Sequence, residues 1–397
     1  MAVNIFYMHR IVQDMISKAR NSNGAFQAAI DNDGRIKAEF STINKSAHIN
    51  WKKERKCLYP GCPNKTIGSH TIQARGPIYK ISESGHVLSP SATMRGIEIK
   101  HVGVNDASKF PGFCETHDTT LFSAFENKAK IENNHDAALQ MYRSACREQS
   151  RLEFIIKHDE ISINNIKNVI IDSSFEYALQ HDDIAREVYL FSPSTMKEEF
   201  RTQMELDGRN LFNRLEYHIN IRKNMLSGIS NISVNLENYI CGAKKFIENI
   251  IILDASLPME LPFAFSSSRA FDEIDQNGYV SNSHTVVMYA APQDGQTKIL
   301  ICLQDASRDL FQKGLEERNI ELLSNSPQSH ANLYDLLEEF MFSGSDNWYM
   351  SPKYWGELSE TTKHKIISHI NGQGFSQNIP IEKPVFPELR KSILTIL

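Results

Sequence analysis

Two short stretches carry the residue types that do chemistry. Cys57-Leu-Tyr-Pro-Gly-Cys62 is a Cys-x4-Cys pair, and Cys114-Glu-Thr-His117 is a Cys-x2-His pair about fifty residues later. Each spacing lets one turn aim both side chains at a single ion. Three thiolates and one imidazole, with no open position, are the donor set of a structural tetrahedral zinc. The expected ligands are Cys57, Cys62, Cys114 and His117, with His70 and His86 as alternatives to His117 for the fourth place. Such a site holds together a module too small to bury a core of its own.

His70 stands eight residues after Cys62, within Ser69-His70-Thr71-Ile72, and Asp118 directly follows His117. In this order the stretch resembles the zinc-containing HNH (His-Me finger) endonucleases. There a zinc knuckle precedes a strand ending in an Asp-His-Ile-type run, an Asn-containing loop follows, and a second ligand pair opens a helix. The resemblance covers about residues 51–130. It implies a treble-clef (ββα-metal-like) module in which His70 is the general base that activates water. It further implies that Asp118 holds a catalytic Mg2+ or Mn2+ and that Asn105 orients the base. This sequence departs from the family where Ser69 replaces the usual Asp and where Asp118 stands in place of a His or Asn.

Other histidines compete for attention. His-Asp dipeptides recur at His117-Asp118, His135-Asp136, His158-Asp159 and His181-Asp182. A His-Asp pair on a helix is the metal-binding element of HD-type phosphohydrolases, but the last three share no flanking repeat and read as solvated helix faces. His86 and His101 read as ordinary, partly buried histidines. Trp348, Tyr349, Tyr354 and Trp355 cluster around Pro352 and read as core packing, with base stacking as the other use of such a cluster. No Gly-x4-Gly-Lys-Ser/Thr loop occurs, so nothing supports ATP-driven chemistry.

The elements that must position these residues follow from hydrophobic period and turn chemistry. Residues 1–50 hold a helical stretch around Ile11–Ile16 and a hairpin pattern, Phe26–Ile30 and Ile36–Phe40, about Asp31-Asn-Asp-Gly34. Within 51–130, Ile67–Ile72, Ile78–Ile81, Gly85–Leu88 and Gly96–Val102 read as short, mostly strand-like elements, and Thr119–Glu126 as the start of a helix. A helix start suits the second ligand pair, because its unpaired N–H groups and dipole favour thiolates. Residues 131–230 are helical in period, as in Ala137–Ile156, Phe175–Leu179, Ile184–Leu190 and Leu211–Met225, with Pro193 as a break. They read as a spacer or an oligomerisation surface.

From 231 to 397 the pattern is that of an α+β domain. Ile232–Leu236 alternates as a strand does, Phe246–Leu253 reads as a buried helix or strand, and Ser266–Ser268 as loop. Thr285–Ala290 and Lys298–Leu303 flank a hairpin turn at Asp294-Gly295. Helical segments are expected at Asp305–Arg318, Asn332–Phe342 and Pro352–Ile370. The fold expected is thus α+β: a zinc-stabilised treble-clef module, a helical middle region and a C-terminal α+β domain.

Composition sets the setting. With 397 residues, 41% hydrophobic and 23% charged, the chain is long enough for several domains and has no overall basic excess, at net charge −5. From Lys45 to Lys80, however, eight basic residues face one acid. Such a patch attracts a phosphate backbone. Cys146, Cys241 and Cys302 are scattered, which excludes a disulfide framework. No signal-peptide core and no apolar run of about 18 residues occurs, so a cytoplasmic protein without a membrane span is expected.

The function expected is metal-dependent hydrolysis of DNA or RNA, by analogy with accessory nucleases of bacterial anti-phage systems. The alternative is a non-catalytic zinc-finger module that binds nucleic acid or a partner protein. The helical region would serve a partner or a homo-oligomer.

Overall fold

The structure, a computed structural model, describes residues 5–21, 55–93, 96–207, 209–274, 276, 280–343, 346–372 and 384–396. The hairpin expected at 26–40, and Lys45, Lys52 and Lys53 of the basic run, lie outside the described residues. In chain order the elements are α1 (Ile5–Asn21), β1 (Gly68–His70), β2 (His86–Thr93), β3 (Gly96–Gly103), β4 (Lys109–Pro111), α2 (Glu115–Lys128) and α3 (Asn134–Gln180). Next come α4 (Asp183–Phe191), α5 (Pro193–Asp207), α6 (Arg209–Ile240), β5 (Ile250–Leu257), β6 (Phe263–Ile274), β7 (Val280–Gln293) and β8 (Gln296–Gln304). The chain continues through α7 (Arg308–Glu317), α8 (Pro327–Ser343), β9 (Trp348–Met350), α9 (Pro352–Glu357), α10 (Glu360–Gly372) and α11 (Pro387–Thr395). Helix and strand are mixed, and the contacts divide the chain into two compact units: Met1–Lys53 with Glu153–Lys223, and Glu54–Leu152 with Asn224–Leu397.

The first unit is helical among its described residues. Met8, Ile11, Val12, Met15 and Ile16 form one face of α1, at the three- and four-residue spacing of a buried stripe. They share a core with Phe175 and Ala178 of α3, Val188 of α4, and Met196 and Phe200 of α5. Asp182 starts α4 by accepting the Ala185 N–H at 3.0 Å, an N-cap bond worth about 1 kcal/mol.

The second unit is built on a seven-stranded sheet in the order β3-β2-β9-β6-β7-β8-β5, antiparallel at every pairing. Its centre is covered on both faces: Val286–Ala291 of β7 and Ile299–Leu303 of β8 are buried without a break. One face packs Phe263, Phe265, Met288 and Ile301 against Leu333, Tyr334, Leu337 and Phe340 of α8, and against Leu389 and Ile393 of α11. Each large apolar side chain buried this way contributes about 1.5–3 kcal/mol. The hairpin turn falls at Asp294-Gly295, where both residues have positive φ (51° and 81°) and Gln293 pairs with Gln296. That is the two-residue turn whose twist matches the strands it joins. A second sheet of two strands pairs Gly68 with Pro111, Ser69 with Phe110 and His70 with Lys109.

Three expectations need correction. Ile232–Leu236 is helical, inside α6. Ile229, Ile232 and Leu236 are fully buried while Val234 is 52% exposed, so the helical period, not the alternation, follows burial. Ser266–Ser268 is not a loop but the buried middle of β6, where the Ser268 hydroxyl donates to Glu148 at 2.9 Å. Pro352–Ile370 is two helices rather than one. The chain leaves helical geometry at Leu358, and the Ser359 hydroxyl accepts the Thr362 N–H to start α10.

Candidate metal centre

Cys57 and Cys62 sit on a knuckle that closes through backbone bonds, Cys57 N–H to the Asn64 carbonyl and Cys62 N–H to the Tyr59 carbonyl. Gly61, at φ 67°, supplies the left-handed step inside the knuckle that a side chain would strain. The knuckle is zipped to the segment that carries the second pair: Leu58 N–H donates to the Gly112 carbonyl, and Ile67 N–H to the Phe113 carbonyl. Cys114 is the N-cap of α2, and His117 lies in its first turn. Beneath them Phe113, Phe122 and Tyr142 pack ring against ring, with Phe113 and Phe122 centroids 5.2 Å apart.

The four donors converge. Cys57 Sγ, Cys62 Sγ, Cys114 Sγ and one His117 ring nitrogen all lie within 4.8 Å of one another. His117 Nδ1 is 3.4 Å from Cys57 Sγ and 3.3 Å from Cys114 Sγ, and the Cys62 and Cys114 sulfurs are 3.9 Å apart. A zinc tetrahedron with bonds of about 2.3 Å to sulfur and 2.0–2.1 Å to nitrogen has edges of about 3.8 and 3.5 Å. The edges found here fit those values, so this Cys3His cluster can hold a metal ion such as zinc. His117, rather than His70 or His86, supplies the imidazole, and the Tyr59 ring stacked on it at 3.9 Å fixes its plane. Burial pushes the Cys57 thiol up to about 11, although the Cys114 N–H donates to its sulfur at 3.2 Å. The His117 backbone N–H, at the helix start, holds the Cys114 thiol below its ordinary value. A buried thiol of this kind ionises readily only beside a cation.

His70 lies at the end of β1 and is half-buried. Its Nδ1 is 2.9 Å from the Ala107 carbonyl oxygen, so the ring donates from Nδ1 and keeps a lone pair on Nε2. Burial, helped by the charges of Arg143 and Lys109, holds its pKa below the usual imidazole value. Ala107, and not Asn105, orients the ring; Asn105 is exposed in the turn between β3 and β4. Ser69 is fully buried and accepts the Phe113 N–H at 3.1 Å.

Asp118 is engaged differently from the expectation. Its Oδ1 is 3.4 Å from Nη2 of Arg143, a fully buried arginine that also meets Glu126 at 2.8 Å and lies 4.1 Å above the Phe122 ring. Among the described residues, Cys57, Cys62, Cys114 and His117 are the one group of three or more His, Cys, Asp or Glu side chains that converge. His70 and Asp118 belong to no such group, and the Asp118 carboxylate meets Arg143. Arg143 left no mark in the sequence, where it is one polar position in the long helical run that opens at Ala137; its importance comes from partners on α2.

The other His-Asp pairs are structural, and Asp136 and Asp182 are buried rather than on a solvated face as expected. Asp136 accepts from Lys128 and from the Glu132 N–H ahead of α3, Asp159 pairs with Arg222, and Asp182 caps α4. Of the described basic residues, Arg55 donates to the Ser150 carbonyl and Lys80 pairs with Glu260, while Lys56, Lys65 and Arg75 are exposed. Trp348 and Tyr349 are buried on β9, as core packing requires. Among the described residues no helix is long and apolar enough to cross a membrane. Compared with known protein families, with curated proteins and with solved structures, the chain matches none.

Proposed function

We propose that residues 51–130 form a treble-clef module of the HNH type, and that the chain hydrolyses nucleic-acid phosphodiesters with His70 as general base. The observation that carries this reading is the ring of His70. It is half-buried, its Nδ1–H is committed to the Ala107 carbonyl, and Nε2 keeps the lone pair a base needs. Nε2 would take a proton from water as the water oxygen attacks phosphorus and the bond to the leaving oxygen breaks. Lys56, Lys65 and Arg75 would attract the backbone. Free thiols at Cys146, Cys241 and Cys302 suit a reducing, cytoplasmic setting.

A second reading is favoured by Asp118. Its carboxylate is spoken for by Arg143, which suits a zinc-finger module that binds nucleic acid or a partner protein without cutting. The two are separated by incubating plasmid DNA and total RNA with the full chain in magnesium, in manganese and in chelator. Wild type should cut, and folded His70→Ala that retains its zinc should not. If no form cuts but Lys56→Glu with Lys65→Glu weakens retention of the same nucleic acid on a filter, the binding module stands and the hydrolase falls.

A further inference from the structure

A second set of side chains, in the C-terminal sheet, is arranged for nucleophilic chemistry. β8 ends at Gln304, a single 3-10 turn covers Asp305–Ser307, and α7 begins at Arg308, which places Ser307 at the N-cap of α7. A serine there ordinarily turns its hydroxyl onto an N–H of the first helical turn. Ser307 makes no such bond. Its Oγ lies 2.8 Å from Nδ1 of His284 instead. On the far side of the ring, His284 Nε2 lies 3.4 Å from Oε2 of Glu273. The β6–β7 register explains the approach: Phe271 opposes His284, and Glu273 is its diagonal neighbour two residues further along β6.

The roles follow from the atoms. With its proton on Nε2, the imidazole donates to the carboxylate and offers the Nδ1 lone pair to the serine hydroxyl. Hydroxyl, base and orienting acid in that order are what activates a serine. Ser307 is 3% exposed and the His284 side chain 13%, whereas the Glu273 side chain is 47% exposed, so the hydroxyl is screened while the carboxylate reaches water. Ser307 and His284 line a cavity of about 20 Å3 whose other walls include Phe271, Val286, Phe311 and Leu336. A space of that size takes one water-sized group, and its walls favour a methyl.

We propose that Ser307, His284 and Glu273 form an acyl-transfer site for short-chain, acetyl-type esters, separate from the zinc-stabilised module. Ser307 Oγ attacks the carbonyl carbon as its proton passes to His284 Nδ1. The tetrahedral adduct collapses, the C–O bond to the alcohol breaks, and the alcohol leaves with that proton. Water then attacks the acyl-serine, giving its proton to His284, and the carboxylic acid is released as the hydroxyl of Ser307 is restored. No oxidant or metal enters the balance.

The test uses the full-length chain and a fluorophosphonate probe, in which phosphorus bonds to the serine oxygen and fluoride leaves, followed by peptide mass spectrometry. The adduct is expected on Ser307 and absent from Ser307→Ala. Labelling should slow at least about 100-fold in His284→Asn, the scale of a lost general base. It should slow in Glu273→Gln too, whose exposed side chain keeps the test usable if the histidine variant fails to fold. p-Nitrophenyl acetate should be turned over at least about tenfold faster than the hexanoate. No adduct on Ser307 of folded wild type, or labelling equally fast in Glu273→Gln, overturns the site; hexanoate matching acetate overturns the short-acyl assignment.

Discussion

At the scale of single residues, the four donors of the Cys3His cluster and His70 depend on their neighbours for what they can do. Cys57 is buried and its thiol is pushed up to about 11, so without a cation it would stay protonated at neutral pH. Replacing Cys57 or Cys114 by Ser should take bound zinc from one per chain to near zero under dialysis. The affinity should fall by more than about 100-fold, since even outer-shell partners cost 10–100-fold; metal analysis by mass spectrometry reads both. His70 is held below its ordinary value by burial first and by nearby positive charge second. The sign follows: the folded state favours the neutral ring, so this contribution to stability is fully present above about pH 6.5 and is lost as pH falls through the folded value. His70→Asn should therefore show a flatter acid decline in its urea midpoint than wild type. If hydrolysis is measured, its acid limb should lie below about pH 6.5.

At the scale of elements, legibility tracked how local the signal was. The knuckle, the helix that starts at Cys114, the hairpin at Asp294-Gly295 and the apolar face of α1 are all written in runs shorter than about a dozen residues. Ile232–Leu236 is ambiguous in the sequence because five residues fit period 2 and period 3.6 almost equally well. Only burial across all of α6 decides between them. The choice is testable in two substitutions. A helix predicts that Ile232→Ala costs about 2–4 kcal/mol while Val234→Ala stays within about 0.5, as read from urea unfolding. A strand would make both costly. Ser266–Ser268 departs from the loop pattern because hydroxyls signal loops only when they face water, and Ser268 finds Glu148 instead. Arg143, Ala107 and the Ser307–His284–Glu273 relay were not legible at all. Each matters through a partner more than ten residues away that no local pattern names.

At the scale of the molecule, the stretch that carries the ligands does not stand apart from the rest of its unit. The β2–β3 hairpin, which lies between the two ligand pairs, joins the C-terminal sheet where Leu88 pairs with Met350 of β9. Gln140 of α3 donates to the Thr71 carbonyl just after His70, and Gln293 of β7 holds Ile131 on the loop between α2 and α3. Stripping zinc with a chelator should therefore loosen the knuckle, β1, β4 and the start of α2, seen as amide exchange faster by at least about tenfold. β7 and β8, buried on both faces, should keep their protection. The measurement closest to the central claim is X-ray absorption at the zinc edge of the purified chain. Three sulfurs at about 2.3 Å and one nitrogen at about 2.0–2.1 Å are predicted. A shell rich in oxygen, or one with two nitrogens that changes when His70 is replaced, would contradict it, because His70 would then be a ligand and not a base.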